Sequence, residues 1–276
     1  MRAKFVKMQG AGNDYIYFDC LGQELPLTEE QIARLSDRHF GIGGDGVVLI
    51  CKSDAADAKM RMFNADGSEG KMCGNAVRCV GKYLYEHGMA KNLLTVETKS
   101  GIKTLFFKTE RGGAESVTVD MGAAEFAPAK IPVLLSGNEI LDRPAEIGGK
   151  TYRISCVSMG NPHCVVFADP DEIDLETIGP LFENSPLFPE RVNAEFVKKT
   201  GPRSLKMRVW ERGSGETMAC GTGACAAVAV ATKLGMFPRG EEIEVALKGG
   251  ILRIRAGDTV KLTGGAETVF YGEVEL

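Results

Sequence analysis

The sequence predicts an α+β fold of two pseudo-symmetric domains that arose from an internal duplication, each a curled mixed or antiparallel sheet around a central apolar helix. Three observations lead to this prediction. The chain aligns with itself, both copies repeat one order of strand, Gly-rich loop, helix and paired strands, and the helix of the second copy is almost wholly apolar. Because such a helix must be buried on every side, it belongs at the centre of its domain.

The duplication is visible when the chain is shifted by 147 residues against itself. Eight of 31 ungapped positions are then identical, where ordinary composition would give roughly two. The identical pairs are Lys59/Lys206, Met60/Met207, Arg61/Arg208, Glu69/Glu216, Cys73/Cys220, Gly74/Gly221, Gly88/Gly235 and Met89/Met236. Slightly different shifts extend the match in the same order, pairing Asn13 with Asn161 and Val96 with Val245. The conserved order favours duplication over chance.

Each copy has the same sequence of elements. A short strand, MRMF (60–63) or MRVW (207–210), runs into a polar Gly- and Ser-rich loop. A Cys-Gly step then opens a helix, predicted over 74–88 in the first copy and 221–235 in the second. Both segments end in a glycine suited to a left-handed helix cap. Two strands joined by a Gly turn follow, at 93–107 and 242–255.

A domain boundary is predicted just after Met121, where the segment AEFAPAKIPVL (124–134) is rich in Ala and Pro. We therefore expect a first domain over 1–120 and a second over 121–266. The final segment, 267–276, has the pattern of a strand, and in a duplicated fold we expect it to return and complete the first domain.

Composition and charge exclude several classes of protein. The chain has 276 residues, 44% of them hydrophobic and 25% charged, with a net charge of −4. This is typical of a soluble globular protein and favours neither a nucleic acid nor an anionic membrane as partner. No stretch approaches the roughly eighteen apolar residues of a membrane span, and the first residues lack the pattern of a signal peptide. We expect a cytoplasmic protein.

The eight cysteines do not follow a metal-binding or disulfide pattern. No CxxC pair occurs, and the chain has only three histidines, so zinc-site spacings are absent and we expect no metal. A disulfide framework belongs to short secreted chains. We expect Cys79 and Cys225 to be core residues of their helices, and the cysteines in strand-like segments to lack a function; these are Cys20, Cys51, Cys156 and Cys164.

Cys73 and Cys220 differ from the others because each immediately precedes a helix and is followed by Gly. Unpaired amides and the positive end of the helix dipole stabilise a thiolate at that position, and the same amides can bind a carboxylate. Two such sites facing each other would hold one carboxylate, with a sulfur on either side of the adjacent carbon. Inversion at that carbon needs two groups, one to remove a proton and one to return a proton to the opposite face.

At these residues the chain resembles the diaminopimelate epimerase family of pyridoxal-independent isomerases. The motifs that carry the resemblance span nearly the whole chain: KMQGAGNDY, GIGGDG, FNADGSE, MCGNAVRC, GNPHCVVF, VNAEFV, ERGSGET and ACGTGACA. The resemblance implies a two-domain fold that closes on diaminopimelate, with Cys73 and Cys220 as base and acid and with no cofactor. We expect a homodimer and no partner beyond that substrate, neither nucleic acid nor membrane.

The resemblance also implies roles for further residues. The backbone amides of Gly74, Asn75, Gly221 and Thr222 would hold the carboxylate at the reacting centre. His163 and Glu211 would lie beside the thiols, with Asn13 at the same end. Asn64, Asn161, Asn193 and Arg212 would bind the distant carboxylate and amine, where Arg is the usual bidentate partner. Some family members carry Gln at the position of Gly46, so no substrate contact is assigned there.

Two alternatives were weighed. Related two-cysteine racemases of proline or hydroxyproline carry His after the first Cys-Gly, where this chain has Asn75, and they do not need a clamp for a distant carboxylate. A thiol redox sensor would also use thiols of low pKa at helix starts, but the Asn-rich loops would then have no explanation. A structural role is also possible for single residues: turn formation for each Asn, an ion pair for Arg212, and a core position bonded to backbone for His163.

Overall fold

The computed structural model describes residues 1–110 and 113–276, which divide into two compact units. The first unit comprises Met1–Asp120 and Thr263–Leu276, and the second comprises Met121–Leu262. Within the described ranges, no helix is long and apolar enough to cross a membrane.

The first unit contains a mixed sheet with two helices. Its strands are β1 (Arg2–Gly10), β2 (Asn13–Cys20), β3 (Gly46–Cys51), β4 (Ala58–Asn64), β5 (Glu69–Gly70), β6 (Leu93–Thr98), β7 (Gly101–Glu110) and β8 (Gly113–Asp120). Its helices are α1 (Glu29–Ser36) and α2 (Gly74–Glu86). The pairs β1–β2, β3–β4, β6–β7 and β7–β8 are antiparallel, whereas β2–β3 and β4–β6 are parallel.

The second unit repeats this pattern. Its strands are β9 (Arg143–Ile147), β10 (Lys150–Ser158), β11 (Pro162–Phe167), β12 (Asn193–Gly201), β13 (Ser204–Glu211), β14 (Gly215–Glu216), β15 (Glu242–Leu247), β16 (Gly250–Ala256) and β17 (Val260–Gly264), the last of which reaches into the segment 263–276. Its helices are α3 (Leu175–Glu183) and α4 (Gly221–Lys233), with 3₁₀ turns at Pro128–Lys130 and Pro170–Glu172. The pairs β10–β11, β12–β13 and β15–β16 are antiparallel, whereas β11–β12 and β13–β15 are parallel.

The matching series of antiparallel and parallel pairs confirms the duplicated α+β fold. In each unit a two-residue strand, β5 or β14, precedes the helix that packs against the sheet. Helix α2 contacts β1, β2, β4, β6 and β8, and helix α4 contacts β10, β11, β12 and β16. Both helices are therefore central, as expected of an apolar helix wrapped by a sheet.

Strand β18 (Glu267–Glu275) lies in the first unit, where it pairs antiparallel with β1. The chain thus returns to the first unit after leaving the second. Three consecutive side chains of β18 remain exposed, namely Val269, Phe270 and Tyr271.

The two central helices begin where the sequence predicts and end two residues before the predicted glycines, at Glu86 and Lys233. Cys73 and Cys220 are the N-cap residues of α2 and α4. Gly88, just past the end of α2, has a φ of +107°, and Gly235, just past α4, has a φ of +75°, the left-handed conformation that glycine adopts without steric cost. Helix α4 is buried around its whole circumference up to Ala231, which confirms its predicted central position.

Candidate active site

In the first unit, Cys73 occupies the N-cap of α2 with its sulfur turned onto the first helical turn. The amide of Ala76 donates to Cys73 Sγ at 3.5 Å, and the thiol donates to Asn13 Oδ1 at 3.2 Å. Asn13 begins β2, which α2 contacts directly. Gly74 and Asn75 open the helix and are buried. The structure thus brings Asn13, Cys73, Gly74 and Asn75 together, which the motif spacing alone could not show.

A cluster of charged side chains is connected to Asn13 through a hydrogen bond to Asp45. Asp45 accepts hydrogen bonds from Asn13 Nδ2 at 2.6 Å and from the amide of Asp14 at 3.1 Å. Arg38 bridges Asp14 and Asp45, at 2.6 and 2.9 Å, and the buried Lys7 lies 2.6 Å from Asp14. Burial alone would raise the pKa of Asp14, but hydrogen bonds from Arg38 and Lys7 outweigh burial and hold that pKa below its ordinary value.

Asn64 lies at the end of β4 and is exposed. Its amide donates to Ser68 Oγ at 3.0 Å across the turn that leads into β5, and its backbone pairs with Gly46 of β3. The turn-forming interpretation of this asparagine therefore has a direct structural basis. Its predicted part in substrate binding stays a prediction.

In the second unit, Cys220 occupies the N-cap of α4 and is 5% exposed. The amide of Gly223 donates to its sulfur at 3.3 Å, and Thr222 Oγ1 lies 3.4 Å from it. Burial, reinforced by the charges of Glu211 and Glu195, raises the pKa of Cys220 well above its ordinary value, and the hydrogen bonds from Thr222 and Gly223 only partly oppose this. These surroundings therefore favour the neutral thiol of Cys220 over its thiolate.

The helix start acts on Cys220 in the direction that the sequence predicts, but it is not the largest influence on the pKa of this thiol. A helix start was expected to stabilise a thiolate at both cysteines, because amides and the helix dipole favour negative charge. At Cys220 the loss of hydration and two nearby carboxylates outweigh the helix. The sequence could not show the burial that decides the balance.

A chain of hydrogen bonds, called here the polar chain, connects Cys220 with a buried carboxylate. Thr222 Oγ1 lies 3.3 Å from Asn161 Nδ2, and Asn161 Oδ1 lies 2.9 Å from His163 Nε2. His163 Nδ1 in turn lies 2.6 Å from Glu195 Oε1. His163 and Glu195 are both fully buried, and β11 and β12, which carry them, are neighbouring parallel strands. His163 is thus bonded to side chains, unlike a core histidine bonded to backbone.

Asn193, Glu211 and Arg212 lie around the end of β13. The buried Asn193 accepts from the amide of Arg212 at 3.0 Å and donates to Pro162 O at 2.8 Å. The guanidinium of Arg212 donates to Glu190 O at 2.7 Å, and Glu211 accepts from Thr217 Oγ1 at 2.5 Å. Asn193 therefore holds the backbone that carries Arg212, a supporting role that the sequence did not indicate.

Sequence reasoning missed five charged residues around these sites: Lys7, Asp14, Arg38, Asp45 and Glu195. Four of them stand inside the quoted motifs KMQGAGNDY, GIGGDG and VNAEFV, which is the signal that could have found them. No group of three His, Cys, Asp or Glu side chains in residues 1–110 and 113–276 is placed to hold a metal ion. A cavity of about 770 Å³ in the second unit, bordered by Phe126, Glu139 and Lys233, is lined by none of the predicted site residues.

Comparisons with known proteins agree with one another. The family model described as diaminopimelate epimerase matches residues 5–127 and 155–274. A curated diaminopimelate epimerase of Desulfovibrio desulfuricans is 52% identical over 281 residues, covering 98% of this chain and 97% of that protein. One from Leptospira biflexa is 49% identical over 282 residues and covers all of both chains.

Among solved structures, a probable proline racemase of Agrobacterium radiobacter K84 superposes with a TM-score of 0.75 at 14% identity, covering 99% of this chain and 93% of that one. At such low identity the likeness concerns the fold alone. It supports the α+β architecture described above.

Proposed function

The chain belongs to the diaminopimelate epimerase family, and from that membership we propose that it interconverts L,L- and meso-diaminopimelate by proton transfer at the α-carbon. This isomerisation serves lysine and peptidoglycan precursor biosynthesis. The observation that carries the proposal is the recurrence of a cysteine N-cap at the central helix of both units, Cys73 on α2 and Cys220 on α4.

Two thiols supply what inversion requires. A single base tends to return its proton to the face from which it came, whereas a thiolate on one face and a thiol on the other exchange the proton with inversion. Cys73 acts as the base and Cys220 as the acid when the reaction runs in the direction that begins with Cys220 protonated. The raised pKa of Cys220, which burial causes first, supports this assignment. The roles exchange in the reverse direction.

The helix starts contribute a second element. In the proposed complex the amides of Gly74, Asn75, Gly221 and Thr222 bind the carboxylate next to the reacting carbon. When the α-proton leaves, negative charge spreads onto that carboxylate, and backbone donors already oriented toward it stabilise the charge. Gly at the first helical position of α2 and of α4 removes the side chain that would block this approach.

The remaining groups bind the ends of the substrate. Arg212 carries a planar fork suited to the distant carboxylate. The side chain of Asn193 supports Arg212 by accepting a hydrogen bond from its backbone amide. Asn64 and Asn161 offer amide donors and acceptors without adding charge near the thiols. Asn13 orients the thiol of Cys73, and Glu211 acts on Cys220 through its charge.

We place the enzyme in the cytoplasm, as a homodimer. No disulfide joins any of the cysteines in the described residues, which suits a reducing compartment. Val269, Phe270 and Tyr271 on β18 stay exposed although they are large apolar or aromatic side chains, and an interface between two copies would cover such side chains. Light scattering on a Tyr271→Asp variant tests the dimer: a lower mass is expected there and not in Ile251→Asp, which alters an exposed side chain of β16. A wild-type monomer would refute the proposal.

The decisive experiment follows hydrogen isotopes. The reduced protein is incubated with L,L-diaminopimelate in deuterium oxide, and the stereoisomers are resolved at early times. Product should carry deuterium at the inverted carbon, whereas recovered starting isomer should carry almost none. Cys73→Ala and Cys220→Ala should each abolish turnover, and Cys225→Ala, which removes a buried thiol inside α4, serves as the control. Full activity in either of the first two variants would refute the two-thiol mechanism.

A further inference from the structure

The polar chain ends on a carboxylate that the proposed reaction does not use. Glu195 is fully buried on β12; His163 is the side chain that bonds its Oε1, and Oε2 has no hydrogen-bond partner among the described residues. A Cβ built on Gly223, in the first turn of α4, would lie 2.8 Å from Glu195 Oε1 and 3.3 Å from Cys220 Sγ. Glu195 thus lies against the helix start that holds Cys220.

The polar chain can run in two directions, which differ in which group donates at each hydrogen bond. The direction depends on whether His163 Nε2 carries a hydrogen. If His163 Nε2 carries it, Asn161 must turn its oxygen toward His163 and its amide nitrogen toward Thr222. Thr222 Oγ1 then accepts from Asn161, and its hydroxyl hydrogen is directed at the sulfur of Cys220. If Nε2 carries no hydrogen, the amide of Asn161 reverses. Thr222 then donates to Asn161 and can only accept from the thiol of Cys220.

The protonation of Glu195 and His163 selects between these two directions. With one proton shared between the two residues the pair is neutral, and Nε2 carries a hydrogen wherever the shared proton resides. Burial favours this neutral form, and burial is also what raises the pKa of Glu195, against the opposing charge of His163. The observed arrangement, with Asn161 Oδ1 at 2.9 Å from His163 Nε2 and Asn161 Nδ2 at 3.3 Å from Thr222, is the one that belongs to the neutral pair.

We propose that Glu195 is a positioning residue for Cys220: the proton it shares with His163 sets the direction of the polar chain, and with it whether Thr222 donates to the sulfur or accepts from it. The proposal rests on the proposed role of Cys220 as acid and base. While the pair keeps its proton, Thr222 donates to the sulfur and stabilises the thiolate. When the pair loses its proton, the thiol is stabilised instead. The chain therefore suits a residue that must serve in both states.

Other charged groups near the chain are few. Glu211 on β13 faces both Cys220 and Glu195 and acts through space. The charged side chains of the neighbouring strands β10 and β16 are exposed. They are Lys150, Arg153 (paired with Asp142), Arg253 (paired with Glu244) and Arg255 (paired with Glu242). An effect of Glu195 on Cys220 must therefore travel either along the polar chain or through space as a carboxylate charge. The two routes predict opposite signs.

A double-mutant cycle separates the routes. The rate of Cys220 alkylation by iodoacetamide is followed against pH by peptide mass spectrometry in the wild type, Glu195→Gln, Thr222→Val and the double variant. The midpoint is the pH at which the alkylation rate of Cys220 reaches half its maximum. Thr222→Val should move this midpoint up by about one pH unit, because the sulfur loses a hydrogen-bond donor. Glu195→Gln should also move this midpoint up, since the chain is no longer held in the donating direction. Once Thr222 is Val, only the loss of the Glu195 charge remains, and Glu195→Gln should then move the midpoint down.

Two results would overturn the proposal. A downward shift in Glu195→Gln, or equal shifts with Thr and with Val at position 222, would mean that Glu195 acts only through its charge. Thr222→Ser retains the hydroxyl and should restore the wild-type profile. Because alkylation is measured on the free protein without turnover, the outcome does not depend on whether the protein epimerises diaminopimelate.

A second measurement needs no substitution at Glu195. In wild-type protein labelled with ¹⁵N-histidine, His163 Nε2 should carry a hydrogen at pH 7, with the signal assigned by comparison with His163→Gln. A bare Nε2 at that pH would place the chain in the opposite direction and refute the proposal even if Glu195→Gln failed to fold.

Discussion

The amide nitrogen of Asn13 lies 2.6 Å from Asp45 Oδ2, and this contact determines which atom Asn13 presents to Cys73. An ionised carboxylate only accepts hydrogen bonds, so Asn13 must turn its nitrogen toward Asp45 and its oxygen toward the sulfur. The thiol of Cys73 then donates to Asn13 Oδ1 at 3.2 Å. Asp45 thus controls the orientation of the proposed base through Asn13.

Replacing Asp45 with Asn should release this control. Asn offers both a donor and an acceptor, so the amide of Asn13 is no longer held in one orientation, and kcat/KM should fall about tenfold, the value of one oriented hydrogen bond. Asp142→Asn, which alters an exposed Asp–Arg pair in the second unit, is the matched control. Equal kinetics in Asp45→Asn and wild type would show that Asn13 is oriented by other contacts.

Arg212→Lys tests the proposed clamp for the distant carboxylate. Lysine keeps the charge but loses the planar fork, so substrate capture should weaken by about 1 kcal/mol or more, measured as a decrease in kcat/KM. The fold should be unchanged by circular dichroism. Arg203→Lys, at an exposed ion pair with Glu241, should behave as wild type. Unchanged kinetics in Arg212→Lys would remove Arg212 from the substrate site.

Gly46→Ala should be strongly destabilising. A Cβ at Gly46 would lie 1.9 Å from Phe63 O, across the β3–β4 pair, and the φ of +155° is one that side chains rarely adopt. We expect a loss of about 3 kcal/mol in the free energy of unfolding, measured by urea denaturation. Gly22→Ala is the control, because a Cβ there meets nothing within 4 Å. Similar stabilities for the two variants would contradict the close approach at Gly46.

Cys51 should be a reactive thiol at neutral pH. A hydrogen bond from Cys20, helped by the charges of Arg61 and Lys59, outweighs burial and lowers the pKa of Cys51 from 9.0 to about 7. The two cysteines are register partners on the parallel strands β2 and β3. Because the thiolate is the reacting form, the alkylation rate of Cys51 should rise with pH and reach half its maximum near pH 7.

The comparison for this prediction is a Cys20→Ala variant. Without the hydrogen bond from Cys20, the midpoint should move up toward 9. The buried Cys79, whose pKa burial raises to about 11, should stay unmodified at pH 8 in both proteins. A midpoint near 9 in the wild type would contradict the assignment.

The sequence predicted what depends on neighbours along the chain. The duplication, the order of strands, and the helix starts at Cys73 and Cys220 all follow from short patterns: a strand, a Gly-rich loop, a Cys-Gly step and an apolar helix. The sequence did not predict contacts between residues that are far apart along the chain. Asp45 meets Asn13 across 32 positions, as does Glu195 with His163. The hydrogen bonds from the side chain of Asn193 to the Arg212 amide and to Pro162 O were likewise not predicted, and its part in substrate binding stays a prediction.

By itself, the sequence determined the family, the repeated α+β fold and which cysteines cap the two central helices. These features depend on local propensity and internal repetition, which are visible in the order of residues along the chain. The tertiary structure decided the chemical state of those cysteines. The neutral thiol of Cys220 is favoured because folding removes water from the sulfur and brings Glu211 and Glu195 near it. Cys73 is oriented because folding places Asp45 within hydrogen-bond distance of Asn13. Desolvation and hydrogen-bond direction depend on what surrounds an atom in space, which no local pattern specifies.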